Sequence, residues 1–352
     1  MSIDLVRPDS SFASDNTAGA HPAVLEALVA AADGPALAYG ADPWTARAAA
    51  LISSVFAADT RSFFTFGGTG ANVVALASVL RPWEAVICTA NAHVATDECG
   101  APERMAGIKL LEVTCPDGKL DPAAIEPLLQ FRGDEHHVQP RVVSVTQSTE
   151  LGTLYDTDEL AALAEVAHRH DLLLHVDGAR IANAVAALGG DPVANVRDAG
   201  VDLLSFGGTK NGLVFGEAVV FFDPELAESA RFVRKQHAQL PSKMRFVAAQ
   251  FEALLADGRW LDSAGHANRM AARLADQVAT IEGVTLSQRP AVNSVFARIA
   301  RPAVAALESW SFFYRWDDDP ADPAVEVRWM TNFSTTGDDV DRFAAGVAAA
   351  VA

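Results

Sequence analysis

Short apolar runs that alternate with longer helical patterns constrain this chain more than any other feature. "AVICTA" (85–90), "IKLLEVT" (108–114), "RVVSVTQ" (141–147), "LLLHVDG" (172–178), "VDLLSFGG" (201–208) and "EAVVFF" (217–222) are the runs; "DPAAIEPLLQ" (121–130) and "DTDELAALAEVAHRHD" (156–171) are among the helices predicted between them. A run that is apolar on both faces cannot turn either face to water, so it needs helices on both sides. That is the pattern of a mainly parallel sheet. It predicts an α/β domain over residues 15–240. After "VRKQHAQLPSKMRF" the pattern turns helical, then gives short strand candidates in "NSVFARIA", "FFYRW" and "VEVRWM", and ends in the helix "DDVDRFAAGVAAAV". This predicts a smaller α+β domain over 241–352, joined by the N-terminal segment 1–14, with a hinge near Pro241.

The chain's 352 residues, 50% of them hydrophobic, suffice to bury such a core. Charge narrows the partners: 27 Lys and Arg stand against 45 Asp and Glu, a formal balance of −18. A surface so acidic repels phosphate backbones and anionic lipid, so neither nucleic acid nor membrane is expected as a partner. Cys88, Cys99 and Cys115 form no Cys-x-x-Cys and no paired framework, which fits a reducing compartment and no structural metal. No basic segment followed by an apolar one opens the chain, and the most apolar windows are broken by charges such as His175, Asp177 and Arg180. A cytoplasmic protein is expected.

Ligands of open α/β sheets collect beyond the carboxyl ends of the strands, and four pieces of this sequence fall there. In "FGGTGANVVALASVL", Gly67, Gly68, Thr69 and Gly70 lead straight into a helix, either as an ordinary glycine-rich start or as an anion cradle of backbone N–H groups. The P-loop lysine and the third glycine of a dinucleotide fingerprint are missing. "LLLHVDGAR" places Asp177 at a strand tip and Arg180 one turn on; an Asp-Gly turn and a shielded acid facing a protonated heterocycle are both compatible with it. "SFGGTKNG" carries Lys210 at the next strand end, and His93 follows a third strand, where it could stack on a ring or move protons. A cradle, an acid, a lysine and an imidazole together suit a ligand with a phosphate, a basic ring nitrogen and an aldehyde, which pyridoxal phosphate combines. The glycines beside Lys210 are then expected to leave room for its ring.

In this ordered set, from "FASDNTAGAHPAVLEAL" through "YGADPWT", "GGTGAN", "HVATDECGAPE", "HVDGAR", "SFGGTKNG" and "QLPSKMRF" to "VRWMTNFST", the chain resembles the low-specificity L-threonine aldolases, fold type I pyridoxal phosphate enzymes. The resemblance implies a large domain with a mainly parallel seven-stranded sheet covered by helices. It implies Lys210 as the Schiff-base lysine, Asp177 as partner of the pyridine nitrogen, Gly68, Thr69 and Gly70 as the phosphate cup, and His93 as the ring-stacking residue. Arg180 is implied beside the cofactor or substrate, and Lys243 and Arg245 near a phosphate. Ser14 and Arg328 are implied as holders of the substrate carboxylate, Tyr39 near a neighbouring subunit's site, and His136 as a second histidine beside the substrate hydroxyl. His93 and His136 both stand as candidates for the base.

The implied reaction cleaves threonine and related β-hydroxy-α-amino acids to glycine and an aldehyde, in a homotetramer built as a dimer of dimers. "YGAD" in place of "YGDD" and "VTQSTELGTLY" in place of "ENTHNG" depart from relatives and leave the aldehyde open. A β-eliminating lyase, a phenylserine-preferring aldolase and a non-catalytic binding protein of the same fold are the alternatives.

Overall fold

A computed structural model describes residues 3–352 and divides them into two compact units, Ala20–Trp260 and residues 3–19 with Leu261–Ala352. The large unit contains β1 (Arg61–Thr65), β2 (Glu84–Thr89), β3 (Lys109–Val113), β4 (Gln139–Thr146), β5 (Leu173–Gly178), β6 (Leu203–Gly207) and β7 (Glu217–Phe221). They form one seven-stranded sheet in the order β1-β7-β6-β5-β4-β2-β3. The pairs β2–β3, β2–β4, β4–β5 and β5–β6 are parallel, while β7 runs antiparallel to both β6 and β1. Every strand except β7 therefore ends at one edge of the sheet, and β7 begins there.

The helices follow from their burial patterns. Gly68–Val79 buries six successive residues, Ala71–Leu76, because its sequence is apolar on all sides and it is enclosed on all sides. Thr157–Arg169 is amphipathic, burying Leu160, Leu163, Ala164 and Ala167. Asp156 and Glu159 close its start as a capping box, and His168 and Arg169 stand in its last turn. "DPAAIEPLLQ" departs from expectation: it forms two short 3-10 turns, Pro122–Ala124 and Glu126–Leu129. Pro127 lacks an N–H and its ring would collide with the carbonyl four residues back, so no continuous helix forms.

The boundary between units lies at Trp260/Leu261, beyond the hinge expected near Pro241, and the N-terminal boundary at Gly19/Ala20. Packing explains the shift. The helix Arg245–Leu255 lies against the helices Pro22–Ala31 and Pro43–Val55 of the large unit. Its Phe251 meets Phe64 at 5.1 Å between ring centroids, and Trp260 meets Phe206 edge-on at 5.3 Å.

The small unit is a four-stranded antiparallel sheet in the order β10-β11-β9-β8, from β8 (Val284–Leu286), β9 (Ser294–Ala300), β10 (Tyr314–Asp317) and β11 (Ala324–Met330). Its core gathers Phe12, Leu274, Val295, Trp310, Trp329 and Phe343. Phe12 stacks on Phe343 at 4.1 Å, and its carbonyl accepts the N–H of Met330 (2.8 Å), which ties the N-terminal segment to this unit. Among the described residues, no helix is long and apolar enough to cross a membrane.

Candidate active site

The carboxyl edge of the large sheet collects the chemistry. In β5 and β6 the register pairs Asp177 with Ser205, and β6 runs directly into the turn Thr209–Asn211 that carries Lys210. The glycines around this lysine answer to the chain itself. A Cβ on Gly207 would stand 2.4 Å from the carbonyl oxygen of Ala179, and one on Gly208 would stand 2.7 Å from that of Gly216 and 2.4 Å from Leu213 Cδ1. Gly212 has φ +106°, a conformation glycine adopts without strain. These residues let backbone pass backbone, so the expectation that Gly207 and Gly208 make room for a ring gives way to close packing.

Asp177 is buried, 4% exposed, and its carboxylate is held at both oxygens: the N–H of Ala179 donates to Oδ1 (3.1 Å) and Asn72 Nδ2 donates to Oδ2 (2.8 Å). Asn72 Nδ2 also donates to Glu98 Oε1 (2.8 Å), which accepts in addition from His93 Nδ1 (2.9 Å). One amide thus bridges two buried carboxylates. Reversing it would turn a carbonyl oxygen towards both, so the acids dictate its orientation. His93, Glu98 and Asp177 each bring a ligand atom within 4.8 Å of the others, a grouping that could hold a cation. The two N–H groups of Asn72 already occupy the carboxylates, which favours the hydrogen-bonded network.

The hydrogen bond to Glu98 raises the pKa of His93 above the usual imidazole value. Burial opposes this, and the charges of Asp177 and Glu150 add to it. His175, two residues before Asp177, is fully buried between Ser144 Oγ (2.9 Å from Nδ1) and Ser205 Oγ (3.1 Å from Nε2). Burial pulls it down to about 4, so it is a neutral link between strands.

On the other side of Lys210, the register sets Glu217 of β7 between Gly207 and Thr65. Its carboxylate accepts the N–H of Gly208 (2.7 Å) and further donors from Thr209, directly beneath the lysine turn. Burial pushes it up to about 7, against the pull of those donors and of the Lys210 charge. At the end of β1, the helix Gly68–Val79 starts at Gly67 with no side-chain cap. A Cβ on Gly67 or Gly68 would meet nothing within 4 Å, and no side chain caps the N–H groups of the first turn. The Gln239 side chain lies against Gly70 and accepts the N–H of Phe66 (3.0 Å), at the flank of this cradle.

Residues 11–302 match the model of a known family, described as beta-eliminating lyase. The chain belongs to the beta-eliminating lyase family. The chain is also 47% identical, over 305 residues, to the low specificity L-threonine aldolase of Pseudomonas aeruginosa, an alignment that covers 86% of this chain and 88% of that one. Among solved structures it superposes on Leishmania major threonine aldolase with a TM-score of 0.92 and 33% identity, covering 97% and 99% of the two chains. It also shares its fold with Bacillus subtilis ureidoglycine-glyoxylate aminotransferase, at a TM-score of 0.68 and 15% identity over 99% and 94%.

Within this beta-eliminating lyase fold the residues singled out from sequence separate clearly. Gly68, Thr69, Gly70, His93, Asp177, Arg180 and Lys210 all lie at the carboxyl edge, with Arg180 only 9% exposed at the start of the helix Ile181–Ala187. His136 does not. It sits in an exposed turn before Gln139, the first residue of β4, whereas the last residue, Thr146, pairs with Asp177. The length of a parallel strand separates it from the site, which corrects its placement beside a substrate. Tyr39 is 53% exposed with φ +58°, under the ammonium of Lys235 (4.8 Å to the ring centroid). Lys243 is exposed in the turn before the helix Arg245–Leu255, and Arg245 donates to the Gly34 carbonyl (2.9 Å). In the small unit, Ser14 is buried and accepts the N–H of Asn16 (3.1 Å), while Arg328 of β11 stacks over Trp316 at 4.5 Å.

Sequence reading missed Asn72, Glu98, Glu150 and Glu217. Asn72 did carry a signal: it is the one amide inside an otherwise apolar helical stretch. Glu98, five residues after His93, carried a weaker one.

Proposed function

We propose that this chain is a pyridoxal-phosphate-dependent aldolase that cleaves L-threonine, L-allo-threonine and related β-hydroxy-α-amino acids to glycine and an aldehyde. The observation that carries this reading is the adjacency of β5 and β6, one carrying the buried acid Asp177 near its end and the other running into the turn of Lys210, at one sheet edge. The uncapped helix start at Gly67 and Gly68 suits a phosphate, and the buried, doubly bonded carboxylate of Asp177 suits a protonated ring nitrogen. The 47% identity to a low specificity L-threonine aldolase supports the substrate class.

When bound, the cofactor supplies an electron-withdrawing ring that accepts the electron pair of the breaking Cα–Cβ bond. The protein's own residues then do the rest. Lys210 would hold the aldehyde by its amine, Asp177 would keep the ring nitrogen protonated, and the N–H groups of Gly68, Thr69 and Gly70 would hold the phosphate, with Lys243 and Arg245 as further cations. Arg328 and Ser14 bind the substrate carboxylate, which fixes the orientation of the bond to be cleaved. Tyr39 and its neighbours belong to a subunit contact of a homotetramer. The exposed Leu37 and Phe232 support such a contact. A cytoplasmic location completes the reading.

Incubation of the purified protein with L-threonine and with L-allo-threonine should release acetaldehyde and glycine in equal amounts. Borohydride should fix the cofactor covalently to the peptide bearing Lys210, and Lys210→Ala should lose both. A second reading, β-elimination, is favoured by the family description. Ammonia and pyruvate from serine, without glycine from threonine, would establish it instead.

A further inference from the structure

We propose that Glu98 is a positioning residue that makes His93 the base for the substrate hydroxyl, by holding its Nδ1–H and leaving the basic lone pair on Nε2. The inference rests on the aldolase reading above. Three observations lead to it. First, the Glu98 side chain is wholly buried, while His93 keeps 31% of its side chain exposed. The pair therefore has an inner, fixed end and an outer end open to a ligand. Second, Glu98 Oε1 takes both of the carboxylate's hydrogen bonds, from His93 and from Asn72, and Oε2 has no partner among the described residues. A buried carboxylate so sparsely bonded has the imidazole as one of its two partners, and it holds that ring in one orientation in return. Third, Asn72 passes the constraint to Asp177, so one acid sets both the imidazole and the carboxylate that faces the cofactor.

The local chain explains how residues five apart come to meet. The short helix His93–Thr96 closes with the N–H of Asp97 on the His93 carbonyl (3.0 Å), which folds Glu98 back beneath the ring. The charged groups acting on His93 are Glu98 from its own segment, Asp177 from the end of β5 and Glu150 from the loop after β4. All are anionic and all raise its affinity for a proton. A carboxylate behind an imidazole fixes the tautomer and stabilises the imidazolium once the proton arrives, which is the arrangement a general base needs. With His136 at the opposite end of β4, His93 is the histidine at this edge that has both an orienting acid and an open face.

The test uses the holoenzyme, with L-threonine as substrate. Hydrogen–deuterium exchange at the imidazole C2 position, read by mass spectrometry on the His93 peptide, gives the titration of that residue directly. In wild type it should lie above that of an unperturbed histidine, and Glu98→Gln should move it to lower pH. The acidic limb of the kcat/KM profile should move in the same direction, with kcat lower by on the order of a hundredfold and KM little changed. Glu98→Asp should restore part of kcat. A Gln variant with an unmoved His93 titration and acidic limb, weakened only in thermal midpoint or KM, would reduce Glu98 to a structural residue. Should the Gln variant not fold, the wild-type titration still decides, since a His93 at or below the ordinary value overturns the proposal. Failure of the aldolase reading has another signature: no glycine from any β-hydroxy amino acid, whatever the titration of His93.

Discussion

Replacing Glu217 by Gln should make the protein more stable in alkaline solution, although it removes a carboxylate bonded to the lysine turn. Folding moves this group from 4.5 to about 7, because burial costs the charged form more than the donors of Gly208 and Thr209 return. A folded pKa above the unfolded one means that the group's contribution to stability is complete below 4.5 and is lost as pH rises through 7. At 1.36 kcal/mol per unit, the loss is about 3 kcal/mol. Gln is neutral throughout and still accepts the Gly208 N–H, at a cost of about 1 kcal/mol for the acceptor that becomes an amide nitrogen. Wild type should therefore be the more stable near about pH 4 and Glu217→Gln the more stable near about pH 8.5, with the difference changing sign between them. Urea unfolding followed by tryptophan fluorescence, at equal cofactor saturation, measures that difference. A difference that stays constant across the range, or that favours the variant more strongly in acid, would refute the assignment of a buried, reluctantly ionised acid beneath Lys210.

His175 should act on stability in the opposite sense. Its folded pKa is depressed from 6.5 to about 4, so the stability it contributes is present above 6.5 and lost as pH falls towards 4, by about 3 kcal/mol. His175→Gln should flatten the acid side of the urea midpoint against pH. Gly207→Ala should cost roughly 2 kcal/mol or more, because the new Cβ meets fixed backbone, whereas Gly68→Ala, with nothing in reach, should leave the thermal midpoint in place. His136→Ala should leave glycine production from L-threonine unchanged; a large fall would contradict its position before β4.

Strand ends that coincide with chemistry were readable because the same residues carry two signals. "LLLHVDG" and "VDLLSFGG" are apolar on both faces and stop at a polar residue or at glycine, which sets Asp177 and Lys210 at an edge from the sequence alone. His136, implied by the resemblance alone, carries no such double signal. A histidine in a polar loop next to a strand looks the same at either end of it, and only the parallel direction of β4 decides which edge it occupies. Glu217 was hidden for a related reason: "EAVVFF" reads as a buried strand in either direction, and its acid reaches the site because β7 runs antiparallel and begins at that edge. The helix Arg245–Leu255 likewise shows no preference for either unit until Phe251 is seen against Phe64.

The helix Gly68–Val79 gives the site its scale. Its first turn offers uncapped N–H groups, and Asn72, within the next turn, holds the carboxylate of Asp177. At 1.5 Å of rise per residue, the anion-binding end and the amide that fixes the acid are about 6 Å apart along one rigid axis. Loop motion cannot change that interval without breaking the helix, whose middle residues are packed on every side. Under the proposed reading the helix would act as a ruler for a ligand whose anionic group and basic nitrogen are separated by a matching span. Because Asn72 also binds Glu98, the same ruler sets where His93 stands. A single apolar helix with one amide in it thus ties the cradle, the acid and the imidazole to a common frame, and Asn72→Ala should loosen Asp177 and His93 together while leaving the Lys210 turn in place.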